Sequence, residues 1–229
     1  MRVLANKTWL IADTHFGHMN IIKFCARPFK DVAEMNAVIT HNINSKVHRD
    51  DLLIVVGDYS FRPQDYLDNI TCNNVVFLKG NHDADGLKAI KRANIKNWKV
   101  LDDSILELKV YLDPNDRTKK VYAILCHYPM LEWDKSRHGS YHFHGHCHYN
   151  LNEFEMPVAL RMDIGVDANY RRDFSKFTND PNPTSAARDI TKLGPIKLID
   201  AIDEVDKRVR IQRQLQWRSL QLSEMFTGS

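Results

Sequence analysis

The stretch LLIVVGD at residues 52–58 decides the class of fold, because five apolar residues end abruptly in a glycine and an aspartate. An unbroken apolar run of this length is typical of a strand that is covered on both faces. Runs of similar length lie at residues 8–12, 74–78 and 121–126. Between the runs at 8–12 and 52–56, apolar residues recur near helical spacing from Val32 to His48. Strands that alternate with helices predict a layered α/β core.

A second sheet is predicted from the later part of the chain, where strands follow one another with few helices between them. The segment DPND at residues 113–116 has the composition of a hairpin turn, so this sheet should be mixed or antiparallel. A short helix is predicted at residues 63–69, between the strands at 52–56 and 74–78. The strands of the second sheet are expected at residues 104–112, 121–126, 141–145 and 157–166.

The chain divides by composition at about residue 170. Residues 1–170 carry the strand pattern and predict the main domain. Residues 171–229 begin with a polar segment that contains Pro181 and Pro183, which predicts a loop. From about Pro195 apolar residues recur every three or four positions, which predicts a helical extension. We expect this extension either to pack on the core or to bind a partner, such as a second copy of the chain in a homo-oligomer.

The bulk composition excludes several classes of protein. Lys and Arg total 32 against 29 for Asp and Glu, so the net charge of +3 permits a nucleic-acid partner without requiring one. The four cysteines form no CxxC pair, which argues against a zinc knuckle or a disulfide framework and favours a reduced, cytoplasmic chain. No apolar run approaches 18 residues, so no membrane span is expected.

Side chains that can bind metal follow the ends of five predicted strands. Ligands bind outside the carboxyl ends of the strands in an open α/β sheet, so we expect these side chains to converge. Glycines at positions 57, 80 and 145 precede three of them and would let the backbone approach an ion closely. The candidate ligands are Asp13, His15, Asp58, Asn81, His127, His146 and His148.

These donors exceed what one transition ion needs, so two divalent ions that share a bridging carboxylate are predicted. Imidazole, carboxylate and amide ligands suit Mn²⁺, Fe²⁺, Ni²⁺ or Zn²⁺, and Mn²⁺ is the first ion to test. Two-metal sites hold their ions roughly 3.5–4 Å apart and clamp a phosphoryl group during its displacement. The ligand set therefore indicates phosphate-ester chemistry.

The order and spacing of these motifs resemble the calcineurin-like metallophosphoesterase superfamily. The motifs are DTH at 13–15, GD at 57–58, GNHD at 80–83, His127 and GHCH at 145–148. The resemblance covers about residues 8–166 and implies a four-layer α/β/β/α sandwich of two mixed sheets flanked by helices, with residues 1–170 as the catalytic domain. It also implies an enzyme, a hydrolase acting on phosphoric ester bonds.

The same resemblance implies a role for each residue. Asp58 would bridge the two ions, and a hydroxide held between them would attack phosphorus. His82, which is not a ligand in the family pattern, would protonate the leaving oxygen or steady the phosphate. Asp83 would orient His82 by a hydrogen bond. The first ion would bind Asp13, His15, Asp58 and His148, and the second would bind Asp58, Asn81, His127 and His146.

Departures from the family pattern narrow the subclass. Ser/Thr protein phosphatases of this superfamily carry GDxxDRG, whereas residues 57–63 read GDYSFRP, so that subclass is not expected. The segment DTHFGHMNIIKFCARPF at residues 13–29 resembles small bacterial and phage-type phosphoesterases, whose substrates vary. His18, Asn20 and Arg62 are candidates for contacting the substrate phosphate.

The leading hypothesis is a phosphodiesterase that acts on a nucleotide-like or small organic diester. A phosphomonoesterase, a nuclease acting on DNA or RNA and a non-catalytic scaffold are the alternatives.

Tyr128 lies in a loop that either stacks a nucleobase or packs on the core. His142 and His144 either line the pocket or are satisfied in the core. Asp163 and Asp167 are interpreted as structural carboxylates.

Overall fold

Two mixed five-stranded sheets form the body of the protein, which the computed structural model describes in residues 1–83, 88, 90–91, 97–151, 157–171 and 189–227. The strands are β1 (Arg2–Leu4), β2 (Thr8–Ile11), β3 (Leu52–Val56), β4 (Asn74–Leu78), β5 (Trp98–Val100), β6 (Ile105–Tyr111), β7 (Lys120–Cys126), β8 (Tyr141–His144), β9 (Arg161–Asp163) and β10 (Ile196–Lys197). The helices are α1 (Met19–Phe24), α2 (Val32–Lys46), α3 (Val166–Arg171) and α4 (Leu198–Thr227). The predicted α/β class is confirmed.

The first sheet has the strand order β10-β2-β3-β4-β5, in which β2 to β5 are parallel and β10 is antiparallel to β2. Successive residues of a strand point to opposite faces, so Trp9 and Ile11 pack in a cluster with α2 whereas Leu10 faces the other sheet. Both faces are covered, which explains the unbroken apolar runs. Helix α2 begins after Asp31, whose carboxylate accepts the backbone N–H of Glu34.

The second sheet has the order β1-β6-β7-β8-β9, with β6 and β7 antiparallel and the other neighbours parallel. The predicted hairpin turn joins β6 to β7, and within it the carboxylate of Asp113 accepts the backbone N–H of Asn115 at 2.9 Å. One face of this sheet, including Leu108 and Phe143, packs against the first sheet in a second hydrophobic cluster. The two sheets therefore face each other across a shared core.

Helix α4 packs against this shared core. Val205 and Val209 belong to the cluster between the sheets, and β10, which directly precedes α4, pairs with β2. Arg208 is buried and donates to the backbone carbonyl of Ala159 at 2.9 Å. Although α4 is 30 residues long, neither it nor any other helix in the described ranges is apolar enough to cross a membrane.

Some elements differ from the sequence predictions. Residues 63–69 form two 3₁₀ turns, Pro63–Asp65 and Leu67–Asn69, because helices this short are marginal without tertiary support. The strand predicted at 157–166 is limited to β9, since α3 already begins at Val166. The short elements β1, β5, β10 and α1 were not predicted, because two to six residues show no clear period. The loop predicted around Pro181 and Pro183 lies outside the described residues.

Candidate metal centre

The candidate ligands come together where the strands of both sheets end. Asp13 donates its backbone N–H to the carbonyl of Gly57 at 3.1 Å, which links the ends of β2 and β3. Gly145 donates to the carbonyl of His127 at 3.0 Å, which links the ends of β7 and β8. The carboxylate of Asp13 also accepts the backbone N–H of His146 at 3.0 Å, so the first sheet is joined to the second. All five strand ends meet as the sequence predicted, with Asn81 arriving from the end of β4.

Asp13, His15 and His148 form a first group whose ligand atoms all lie within 4.8 Å of one another. The rings of His15 and His148 stack with their centroids 5.1 Å apart. Asp13 is fully buried, and His15 is 3% exposed. Among the described atoms, the buried Nε2 of His15 has no hydrogen-bond partner, so its lone pair is available to a cation.

Asp58, His127 and His146 form a second group of the same size. Asn81 joins it, because its side-chain oxygen lies 3.0 Å from both Nε2 of His127 and Nδ1 of His146. The other ring nitrogen of His127 lies 2.9 Å from the carbonyl oxygen of Val56. A carbonyl can only accept, so Nδ1 carries the proton and Nε2 faces the group.

One carboxylate stands between the two groups. Oδ2 of Asp58 lies 3.6 Å from Nε2 of His15 in the first group and 3.4 Å from Nε2 of His127 in the second. Its other oxygen accepts the backbone N–H of His82 at 2.9 Å. The geometry therefore gives Asp58 contacts on both sides, which is the position expected of a bridging ligand. The described Asp and His groups could hold metal ions.

The backbone of the ligands adopts an unusual conformation. Asp13, His15, Asp58, His146 and His148 all have positive φ, between 48° and 72°. Few residues other than glycine adopt this left-handed region, and such strain concentrates at functional sites. Asp-x-His would suit an extended strand, because alternate residues of a strand project to the same side. The chain instead turns at Asp13 and at His15, and both side chains are buried.

Gly145 is required by the closeness of the ligands. A Cβ atom at this position would lie 2.7 Å from both Cβ of Ala12 and Oδ2 of Asp13. Such contacts are shorter than real side chains tolerate, and the backbone here cannot move without displacing the loop that carries His146. The predicted close approach of backbone to the site is therefore observed, but the glycine makes room for a ligand side chain.

We expect Gly145→Ala to displace Asp13 and to lower the free energy of unfolding by about 1–3 kcal/mol, the range for overpacked sites. Urea unfolding and calorimetric titration with Mn²⁺ measure the two effects. Gly139→Ala is the control, since its added methyl meets open space although φ is +84°. The control should lose some stability through backbone strain but keep its Mn²⁺ affinity. Equal Mn²⁺ affinities in both variants would contradict the prediction.

Ionisable groups of the centre have shifted pKa values, as is common at functional sites. Burial raises the pKa of Asp13 to about 7. Burial, together with the neighbouring His148, lowers the pKa of His15 to about 3. Burial also opposes ionisation of Asp58, but His127 outweighs it and lowers the pKa of that carboxyl to about 2. For Asp13, burial outweighs the attraction of His148, so a bound cation would stabilise the charged form of its carboxylate.

A buried network behind the first group was not predicted. Arg27 donates its Nε and Nη2 hydrogens to the two carboxylate oxygens of Asp167 at 2.9 and 2.8 Å. The carboxylate of Asp167 also lies 2.7 Å from Nδ1 of His148. An ionised carboxylate can only accept, so His148 donates from Nδ1 and keeps Nε2 for another partner. The interpretation of Asp167 as merely structural was therefore incomplete.

The guanidinium of Arg27 also holds the segment that carries the first ligand. Nη2 donates to the backbone carbonyl of Asp13 at 2.7 Å, and Nη1 donates to that of Thr14 at 2.9 Å. The side chains of Arg27 and Asp167 are 0% and 1% exposed. Despite this burial, the charge of Arg27 holds the pKa of Asp167 well below its usual range. Arg27 thus joins the end of β2 to α3.

The predicted role of Asp83 is not supported by its contacts. Its buried carboxylate accepts the backbone N–H groups of Asp58, Tyr59 and Gly80 at 2.7, 3.1 and 2.7 Å. No hydrogen bond among the described residues joins it to His82. Asp83 therefore shapes the turns that follow β3 and β4, because its side chain points inward across them. His82 is 44% exposed, with Nε2 4.0 Å from Oδ2 of Asp58.

The three candidates for contacting a phosphate lie in different surroundings. The ring of His18 lies beside the centre, with its centroid 5.7 Å from that of His15. Arg62 is 74% exposed and pairs with Asp65 at 3.0 Å. Asn20 is exposed on α1. Of these three residues, only His18 has a ring contact with a candidate ligand, His15.

His142 belongs to the core. It is fully buried, its Nδ1 lies 3.0 Å from the carbonyl oxygen of Ile124, and its Nε2 accepts the backbone N–H of Met130 at 3.1 Å. Both nitrogens are therefore satisfied by backbone groups. His144 is also buried, with Nδ1 2.9 Å from the carbonyl oxygen of Gly145. Asp163 accepts the backbone N–H of Tyr149 at 3.1 Å, in keeping with a structural role.

Comparison with known proteins leaves the activity open. No family model matches the chain. An alignment of 88 residues is 40% identical to an uncharacterized protein of Methanocaldococcus jannaschii and covers 36% of this chain. It spans 49% of that protein, about half of its length. A crystal structure of a protein of unknown function from Aquifex aeolicus aligns with 70% of this chain and 90% of its own, at 19% identity and a TM-score of 0.49. Neither relative has a named activity, so function must be argued from the site.

Proposed function

We propose that the protein is a metal-dependent phosphodiesterase with the α/β/β/α sandwich of the calcineurin-like metallophosphoesterases. The observation that carries the proposal is the convergence of two groups of ligands on one carboxylate, that of Asp58. Two mixed sheets that face each other, with the ligands at their strand ends, also support it. The alternatives are a phosphomonoesterase, a nuclease and a non-catalytic scaffold.

The donor atoms of the second group are placed to bind a cation rather than to form hydrogen bonds with one another. A neutral His127 donates from Nδ1 to Val56, so its Nε2 lone pair faces the oxygens of Asp58 and Asn81 at 3.4 and 3.0 Å. Three electron-rich atoms then surround one position, which favours a positive charge there. Although burial opposes protonation, Asp58 raises the pKa of His127, as expected where the surroundings favour a cation.

The ligand assignment follows the two groups and the carboxylate between them. One ion would be held by Asp13, His15, Asp58 and His148, and the other by Asp58, Asn81, His127 and His146. Mn²⁺, Fe²⁺, Ni²⁺ or Zn²⁺ would suit this donor set. Divalent ions at such a centre supply a nucleophile at neutral pH and neutralise charge on a phosphoryl group.

His82 is suited to act on the leaving group. Its backbone N–H donates to Oδ1 of Asp58 at 2.9 Å, which fixes it beside the bridging carboxylate, while its side chain is 44% exposed and can reach a substrate. The imidazole would donate a proton to the ester oxygen that leaves, or would steady a phosphate oxygen. An alkoxide leaving group needs such a proton in a diester and in a monoester alike, so the two substrate classes are separated by assay.

We expect the Mn²⁺-loaded protein to hydrolyse bis-p-nitrophenyl phosphate faster than p-nitrophenyl phosphate, and EDTA to abolish both reactions. On a dialkyl phosphodiester, whose alkoxide leaving group needs a proton, His82→Ala should lower kcat by about 10²–10⁴-fold, the usual contribution of a general acid, without changing the bound metal. His41→Ala is the matched control, because His41 is an exposed histidine on α2.

Each outcome of this assay discriminates between the functions. Faster monoester hydrolysis would overturn the diester proposal in favour of a phosphomonoesterase. Bound Mn²⁺ without any hydrolysis would favour the scaffold. A His82→Ala protein as active as His41→Ala on the dialkyl phosphodiester would exclude His82 as the general acid. Cleavage of oligonucleotides whose rate falls with rising salt would favour the nuclease.

A further inference from the structure

Exposed aromatic side chains are concentrated around the candidate centre. In the described residues five aromatic side chains are exposed, namely Phe24, Phe61, Tyr122, Tyr128 and Trp217. Three of the five, Phe24, Phe61 and Tyr128, have their rings near histidines in or beside the centre, and we call these three the aromatic rim. None of the three belongs to either hydrophobic cluster. Packing of the core therefore does not explain their positions.

Phe61 and Phe24 form one side of the rim. The ring centroid of Phe61 lies 4.9 Å from that of His18 and 5.1 Å from that of His82, with both imidazoles tilted by more than 70° to it. Phe61 remains 46% exposed. Phe24 lies 6.4 Å from His18 and is 76% exposed. An apolar surface thus borders the imidazole that is proposed to act on the leaving group.

Tyr128 forms the other side of the rim. Its ring centroid lies 4.8 Å from that of His146 and 5.2 Å from that of His127, both in the second ligand group, and the side chain is 45% exposed. An exposed ring therefore borders each of the two sides of the centre. Single exposed apolar side chains are ordinary on protein surfaces, but a cluster beside a polar site marks a place where an organic group binds.

We propose that the aromatic rim binds a planar ring attached to the phosphate, so that the substrate is a nucleotide-like ester. The inference rests on the proposed phosphoesterase function and names its substrate class. The ions that the imidazoles and carboxylates would hold bind the phosphate, and the exposed rings stack on the base. Stacking of a base on an aromatic side chain tolerates any base sequence, since every base has a π face.

Calorimetric titration of the Mn²⁺-loaded protein tests the rim without requiring turnover. Adenosine 5′-monophosphate and ribose 5-phosphate share the phosphate and the sugar and differ by the base. We expect the nucleotide to bind with a Kd at least about tenfold lower. Phe61→Ala, Tyr128→Ala or both should reduce this ratio, and where Phe61→Ala reduces it Phe61→Leu should do so too, because leucine preserves apolar volume but has no π face.

Tyr122→Ala is the matched control, because Tyr122 is exposed on β7 and lies outside the rim. It should keep the wild-type ratio. Equal affinities for the two ligands in the wild-type protein, or an unchanged ratio in both Phe61→Ala and Tyr128→Ala, would overturn the proposal. A trinucleotide titrated in parallel separates a free nucleotide from a nucleic-acid strand as the source of the base, and preference for either is consistent with the rim.

Failure of the rim and failure of the proposed function are distinguishable. Preference for adenosine 5′-monophosphate without hydrolysis of either p-nitrophenyl ester would support base binding by the rim and contradict the phosphoesterase activity. Hydrolysis of bis-p-nitrophenyl phosphate with equal affinity for adenosine 5′-monophosphate and ribose 5-phosphate would support the phosphoesterase activity and contradict base binding by the rim.

Discussion

An Asp58→Asn protein is expected to lose both metal ions and all measurable hydrolysis. Oδ2 of Asp58 lies within 3.6 Å of a ligand nitrogen in each of the two groups, so one substitution weakens both. The amide has the shape of the carboxylate but not its charge, and it cannot neutralise two cations. Loss of an outer partner of a ligand typically reduces metal affinity about 10–100-fold, and loss of a shared ligand should exceed this.

Elemental analysis after gel filtration and calorimetric titration with Mn²⁺ measure the effect. Asp113→Asn is the control, since Asp113 lies in the β6–β7 hairpin, at the end of β7 away from His127. It should retain wild-type metal content. A metal content in Asp58→Asn equal to that of Asp113→Asn would contradict the two-ion centre and the proposed function with it.

Arg27→Met is expected to give the largest loss of stability, about 3–5 kcal/mol in the free energy of unfolding, because it removes the guanidinium that pairs with the buried carboxylate of Asp167. His148 and Asp13 lose their support in the same step, so Mn²⁺ affinity should fall as well. Urea unfolding and calorimetry measure the two effects separately. Arg137→Met, which breaks an exposed pair with Glu132, should leave both values unchanged.

The double variant Arg27→Met with Asp167→Leu separates stability from metal binding. Removing both charges of a buried pair recovers much of the stability that removing one loses. The ring of His148 nevertheless lacks its Nδ1 acceptor, so Mn²⁺ affinity should remain low. Recovery of affinity along with stability would mean that the network supports only the fold.

The ligands could be predicted from the sequence because each follows a strand-sized segment, and most of these segments are apolar. Strands such as residues 52–56 can be read from hydrophobicity alone, and parallel neighbours bring their carboxyl ends together. Convergence of Asp13 and Asp58 then follows from the order of strands in the first sheet, and His146 joins them because the second sheet packs against the first. The exact backbone at these ligands could not be predicted, because left-handed φ at Asp or His leaves no mark in composition.

The network behind the ligands could not be predicted for a different reason. Arg27 and Asp167 are 140 positions apart, and neither lies in a metal-binding motif. The role of Asp83 was misassigned because its neighbour in sequence, His82, suggested a local contact, whereas its carboxylate crosses to the turn at Asp58. Sequence proximity indicates contacts poorly where the chain turns sharply.

The wide separation of the ligands along the chain has a consequence for biogenesis. The carboxylate of Asp13 meets the backbone of His146 across 133 positions, and the support for His148 arrives only with Asp167. During synthesis the early ligands leave the ribosome long before their partners exist. Pairings of such high sequence separation form late in folding. Metal uptake should therefore be one of the last events in maturation, after the two sheets have docked.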